Sequence, residues 1–474
     1  MFRTCPPGIS ITVKLGSGLD YTCVPSNIPV EMQQPEVRRG SGIIDRVYKY
    51  HTWKMEDIAP TEAEPFMPRP NDFRPSLNFE LFSTNGENRI ILGNYTDVHW
   101  RNVGKNIQGY LNMYIKRPRQ LLTDALKEAS GLTSLRDKTR HLFEFVRDEY
   151  RADGQGYRLR PAKNNLRDFF EKKTGAPFEL NLLLVEMLKV VGIDAWPVLV
   201  STRDQVDFHR TARFNHIIVY AMTGEGGIFM DASSKACPYG SLPLLSRVEE
   251  GLLVDFDRSR LVPIETIEPE SYRIDSAAIL VARDGSVMAS IVSTLSGYPA
   301  MELGDYLEHA VKGQRDSLRS PAVSDIVTWD DLHWRYDSLG RCVVQARIPL
   351  EKLPATGAAG VVVPVLPLLT EDPFASEVRL QPIDFLYPFR YESKAVMPAG
   401  SRTLMLDSSA NASSTIEGAS FNRVIQTANS TLVVITRLRI DKAIFTASEY
   451  VAIRAFLEQA AERCQKPIVV GSQQ

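Results

Sequence analysis

The sequence predicts an α+β, multidomain protein. Three observations carry this. Segments near both ends of the chain alternate polar and apolar residues with period two, as strands do. Between them, helical periodicity is followed by several strands in direct succession, an order that favours α+β over a doubly wound parallel sheet. The 474 residues also correspond to about three domains at ~150 residues each. The expected division is a β-domain over 1–110, a mixed core over 111–265, and a C-terminal β-rich domain with a terminal helix over 266–474.

Composition narrows the function classes. Hydrophobic residues make up 44% and charged residues 24%, as in ordinary globular proteins. The net charge of -2 provides no broad field that would favour nucleic acid. No apolar run approaches the ~20 residues that span a bilayer. The first ten residues, MFRTCPPGIS, lack the basic-then-apolar order of a secretory signal. Five cysteines, Cys5, Cys23, Cys237, Cys342 and Cys464, show no CxxC and no metal spacing. Cys5 and Cys23 are the only close pair. No cofactor and no metal site is expected.

Taken in order, residues 9–13, 45–50 and 88–92 read as strands. The stretch PTEAEPFMPRPNDFRP, with Glu62, Glu64 and Pro68, is too rich in proline for regular structure and is expected to run extended over a surface. Residues 121–130 and 134–150 have helical periodicity. In the second, Leu135, Leu142, Phe143, Val146 and Tyr150 share a face, and Ser134 is a suitable N-cap. A short helix over 165–171 precedes a longer one over 177–191. Leu180, Leu183, Leu184, Met187 and Leu188 stripe the latter, and Gly192 ends it. Strands follow at 195–201, 214–220 and 227–230, with a glycine hairpin turn at 224–227. Pro197 suggests an edge or strand-start position for the first of these. Further strands are expected at 277–282, 287–293, 341–348, 360–366 and 431–440. A helix is expected over 302–312, and a last one over 448–463 with Ser448 as its cap.

The chemistry concentrates in 172–231. Cysteine-dependent acyl transfer needs a thiolate, a His to pair with it, and an acceptor to orient the His. A helix N-terminus favours the thiolate and offers N–H groups to an oxyanion. Here a helix start is followed by His216 on one strand and Asp231 on the next. The order is right, but no cysteine stands at the helix start.

The run resembles the transglutaminase-like, papain-type core of bacterial, Bacteroidetes-type proteins. Their pattern is Gly-x-Cys, a Leu-rich helix, Gly-Ile, Pro-Val-Leu-Val-x-Thr-Arg, Asn-His, then Asp-Ala or Asp-Pro. The matching residues are Gly175, the helix, Gly192 and Ile193, 197–203, Asn215 and His216, and Asp231 and Ala232. Counting back from Asn181 puts the nucleophile on Pro177. The resemblance also implies that 1–110 is a β-sandwich truncated at its N-terminus, since 50–75 matches the end of such a domain. EDPFASEVRLQPIDFLYP and MPAG match a downstream domain of unknown function. It implies a catalytically inactive protein with a binding or scaffolding role in the cell envelope. A cleft holding an extended peptide, protein or glycan would go with that role.

Each candidate has a plainer reading. Proline suits the first turn of a helix, because the N–H it lacks is unpaired there anyway. His216 can be a half-buried strand histidine hydrogen-bonded to Asp231 or to backbone. Cys237, in a Pro/Gly loop, is the alternative nucleophile for an active peptidase, amidase or transglutaminase. It is otherwise a loop cysteine. Glu179 suits the dipole at a helix start. Asp207, His209 and His216 match no established metal spacing. Lys163, Arg203, Arg210 and Arg213 read as a solvated basic face.

Overall fold

The computed structural model describes residues 97–473 apart from several internal stretches, chiefly 162–164, 204–213, 310–321, 327–331, 351–358, 370–373 and 406–410. Before residue 97 it describes only six strands and residues 64–67. The strands are β1 (Gly8–Gly16), β2 (Asp20–Ser26), β3 (Glu31–Met32), β4 (Glu36–Arg39), β5 (Val47–Glu56) and β6 (Ser76–Ser83). β5 pairs antiparallel with β1, β3 and β4, and β2 pairs with β6. The expected strand at 88–92 and the Cys5–Cys23 pair lie outside what is described. Residues 64–67 do not run extended but form a tight turn, closed by Met67 N–H donating to Glu64 O at 3.1 Å.

The central region contains α1 (Asp97–Tyr114), α2 (Arg119–Glu128), α3 (Leu135–Glu149), β7 (Arg151–Ala152), α4 (Leu166–Lys172), β8 (Thr174–Gly175) and α5 (Pro177–Val190). α1 crosses the expected boundary at 110/111, and 97–110 is helical rather than β. Its Trp100, Leu111 and Tyr114 join the central core, so the helix is held by that core. Ser134 caps α3 as expected, accepting from Asp137 N–H at 2.9 Å. Leu135 stands in the first turn and stays exposed, unlike Leu142, Phe143 and Val146. α5 buries every residue from Pro177 to Leu188, not a stripe. It packs on α2, α3 and α4 and on a sheet, so apolar residues are wanted all round. Ile193 N–H returns to Leu188 O at 3.0 Å, and Gly192 takes the positive φ that ends the helix.

That sheet is built from β9 (Ala195–Val200), β10 (His216–Met222), β11 (Gly227–Met230), β12 (Glu250–Leu253) and β13 (Arg260–Pro263), in the order β11-β10-β9-β12-β13. β9 is therefore central, and Pro197 is not on an edge. Pro197 O accepts from Val254 N–H at 3.0 Å, but the reciprocal donor is missing. The β9–β12 ladder stops where proline cannot donate, which is how an inner strand tolerates it.

The C-terminal region holds β14 (Tyr272–Val281), β15 (Val287–Ser296), α6 (Tyr298–His309), β16 (His333–Tyr336), β17 (Cys342–Leu350), β18 (Ala359–Val361), β19 (Ile383–Asp384), β20 (Phe389–Pro398), β21 (Arg402–Met405), β22 (Ala412–Ile416), β23 (Ala419–Ala428), β24 (Thr431–Ile440), β25 (Ile444–Phe445), α7 (Tyr450–Gln465) and β26 (Ile468–Gln473). Eight of these strands form one sheet, β16-β17-β15-β14-β20-β24-β23-β22, antiparallel except between β14 and β20. α7 covers it with Tyr450, Ile453, Phe456 and Leu457. A 3-10 turn over residues 447–449 leads into α7 and is capped by Thr446 rather than Ser448, Glu449 reaching back to accept Thr446 N–H at 2.9 Å.

Candidate active site

The site begins at the start of α5. Gly175, on β8, lies beside Ala152 on β7, and Gly175 O accepts from Asp153 N–H at 2.8 Å. Pro177 follows as the first helical residue, with Ala176 as N-cap. Alanine has no acceptor, so only half of a capping box forms. Glu179 Oε2 accepts from Ala176 N–H at 2.6 Å, and Glu179 Oε1 accepts from the Tyr114 hydroxyl. Glu179 is wholly buried. Its carboxylate thus holds the helix start rather than facing a cleft.

One turn on, Asn181 faces the sheet. Its Nδ2 donates to Asp231 Oδ1 at 2.7 Å and to Ile217 O at 2.8 Å, and lies 3.4 Å from His216 Nε2. Its Oδ1 accepts from Ala232 N–H at 2.8 Å. Helix geometry places Pro177 on the same face as Asn181, about 6 Å nearer the N-terminus.

His216 opens β10 and Asp231 follows the end of β11, the two strands being antiparallel neighbours. His216 Nε2 and Asp231 Oδ2 are 2.8 Å apart, and both side chains are fully buried. Asp231 Oδ2 also accepts from Ser246 Oγ at 2.8 Å, and Oδ1 from Ser233 N–H at 3.0 Å. Burial alone would raise the Asp231 carboxyl. The His216 charge, with hydrogen bonds from His216, Asn181 and Ser233, overcomes this and holds it at about 2. The carboxylate therefore stays ionised, and its acceptors are saturated.

The other ring nitrogen, His216 Nδ1, has no hydrogen-bond partner among the described residues. The Tyr157 ring stands edge-on to the imidazole at a centroid distance of 4.5 Å. Tyr157 comes from the loop after β7, which Arg158 and Asp153 lock by a paired contact, one bond being 3.1 Å. Burial pushes the Tyr157 phenol well up, and Asp231 and Asp305 add to it. Sequence reasoning missed Tyr157, since its loop has no periodicity. Asn181 served there only as a counting mark.

Cys237 lies in the turn after Asp231. It is fully buried within the C-terminal core cluster, beside residues such as Leu295 and Tyr298. Its Sγ lies 3.3 Å from Ser241 O. Burial pushes the thiol well up, with Asp231 and Asp305 adding to the shift and Arg147 opposing it. Arg203 is partly buried and bonds Asp384 Oδ2 at 3.0 Å. Lys163, Asp207, His209, Arg210 and Arg213 lie outside the described residues. Among the described residues no group of side chains has metal-ligand geometry, and no helix is long and apolar enough to cross a membrane. A depression of about 580 Å³ lies against α1, α5 and β9, lined by residues such as Gln108, Glu186 and Trp196 and by neither His216 nor Asp231.

The sequence of residues 360–470 matches the family model described as "Domain of Unknown Function with solved-structure structure (DUF3858)". Among curated proteins none matches. The structure is similar to that of a candidate protease from Parabacteroides distasonis, with a TM-score of 0.54 and 13% identity over 98% of this chain and 72% of that one. The two share a fold. A candidate cysteine protease from Cytophaga hutchinsonii matches 54% of this chain and 85% of that one at 11% identity, with a TM-score of 0.22. That value is too low for a structural correspondence.

Proposed function

We propose that the central region is a papain- or transglutaminase-like core that has lost its nucleophile and serves in binding or scaffolding. The observation that carries this is Pro177, the first residue of a buried helix whose next turn delivers Asn181 to His216 and Asp231. A thiol at Pro177 would sit where the helix dipole and free N–H groups favour a thiolate. Proline leaves the helix intact and removes the chemistry. Tyr157 over the imidazole also supports a site that no longer admits a scissile bond. The buried, raised Cys237 thiol speaks against a displaced nucleophile. A role in an extracytoplasmic assembly of the cell envelope, with a peptide, protein or glycan as partner, rests on family resemblance alone.

The test restores the thiol. Pro177→Cys is expected to alkylate with iodoacetamide with a pKa below the ordinary ~8.5, and His216→Ala in that background should return it to the ordinary value. An ordinary pKa in Pro177→Cys would show that this helix start is not the nucleophile position. In the native chain, His216-dependent alkylation of Cys237 faster than a free thiol would overturn the non-catalytic reading.

A further inference from the structure

A row of polar side chains crosses the inner face of the eight-stranded sheet. Register places Ser293 opposite Asp275, Asp275 beside Ser393, Ser393 opposite Thr436, and Thr436 opposite Arg423. Asp275 is 5% exposed and the other four are 1% or less. Two residues along β15, β20, β24 and β23 in one direction stand Leu295, Tyr391, Leu438 and Phe421, in the cluster under α7, with Arg273 at that level on β14. Two residues in the other direction stand Ile291, Ala277, Ala395 and Val434, in a second apolar cluster. The row thus runs between two apolar bodies.

Its acidic end is satisfied. Asp275 Oδ1 accepts from Arg273 Nε at 2.9 Å and from Ser293 Oγ at 2.7 Å, and Arg273 Nη1 donates to Ala322 O at 3.0 Å. Its basic end is not. Arg423 Nε, Nη1 and Nη2 have no acceptor among the described residues, and Thr436 Oγ1 has no partner there. The polar neighbour of Arg423 is the Cys464 thiol in the last turn of α7, which burial keeps protonated. A guanidinium does not shed its proton, and a buried charge without a counter-charge is what folded proteins avoid.

We propose that Arg423 and Thr436 form an internal binding site for a small monovalent oxyanion of the carboxylate type. Arg273 already matches Asp275, so Arg423 leaves the row with one positive charge. One negative charge neutralises it, whereas a divalent ion would leave an excess between apolar clusters. The guanidinium fork fits two oxygens of a planar anion, and the Thr436 hydroxyl adds a further donor.

The experiment is calorimetry of the full chain, dialysed to low salt and then equilibrated with formate, chloride or sulfate at equal ionic strength. Formate at about one hundred times its Kd should raise the midpoint of the C-terminal transition by about 5 °C or more, with smaller shifts from the other two. Arg423→Met should abolish the formate response and melt no lower than the native chain in low salt. Equal responses to the three salts, or a formate response that survives Arg423→Met, would overturn the site. If that variant does not fold, Arg423→Lys keeps the charge without the fork. It should erase the preference for formate over chloride, and a preserved preference rejects the proposal.

Discussion

Asn181 Nδ2 lies 2.7 Å from Asp231 Oδ1 and 3.4 Å from His216 Nε2, so α5 reaches the His–Asp pair through an amide one turn after Pro177. The amide also ties Ile217 O and Ala232 N–H on the two strands. Asn181→Ala leaves a buried carboxylate short of one donor and two backbone groups unpaired. A loss of about 3–5 kcal/mol in urea unfolding is expected. A midpoint within experimental error of the native one would show that the network carries no stability.

Acid sensitivity follows from Asp231. Its folded pKa of about 2 lies below the ordinary 3.8. The folded chain therefore binds this proton less readily than the unfolded chain, and the contribution from this carboxylate's own titration is complete above pH ~5, where it is ionised both folded and unfolded. The contribution falls as pH drops through the unfolded value and is gone below pH ~2. It amounts to about 2 kcal/mol for this fully buried group. Asp231→Asn should flatten the stability profile between pH ~5 and ~2, measured by denaturant titration at each pH. An unchanged slope would assign the acid limb to other carboxylates.

Tyr157 covers the ring whose Nδ1 has no partner among the described residues. In the native chain His216 should therefore resist diethyl pyrocarbonate, while the half-exposed ring of His141 reacts. Tyr157→Ala should bring His216 modification to within about tenfold of His141, read by peptide mapping, with a stability loss of about 3 kcal/mol or less because the ring is only partly buried. Equal protection in both proteins would mean that another element closes the site.

Much of the fold is legible in the sequence because α5 and its flanking strands follow period and punctuation. Gly192 ends the helix, Ser134 starts another, and His216 and Asp231 fall at the ends of neighbouring strands. What was not legible depends on pairing between distant segments. Pro197 suggests an edge or strand-start position, but pairing with β10 and β12 makes β9 central, and the ladder to β12 stops at the proline. Asp97–Tyr114 belongs to the core because Trp100 and Tyr114 find partners there, which local pattern does not show. The row from Ser293 to Arg423 joins strands whose members stand as much as 161 residues apart in the chain, Asp275 and Thr436 (436 less 275), through registers that no motif encodes.

Gly175 tests how tightly the helix start is built. A Cβ there would stand 2.5 Å from Glu179 Oε2 and 2.6 Å from Phe169 Cδ2. Phe169 is fully buried, so the ring has little room to give. The carboxylate would move instead, and with it the bonds to Ala176 N–H and the Tyr114 hydroxyl. Gly175→Ala is therefore expected to cost about 2–4 kcal/mol, combining overpacking with a weakened cap. Glu179→Ala removes the cap and opens space in one step. If the clash acts through that carboxylate, the double variant should be less destabilised than the two single losses added together. Strict additivity in denaturant unfolding would place the strain on Phe169 alone.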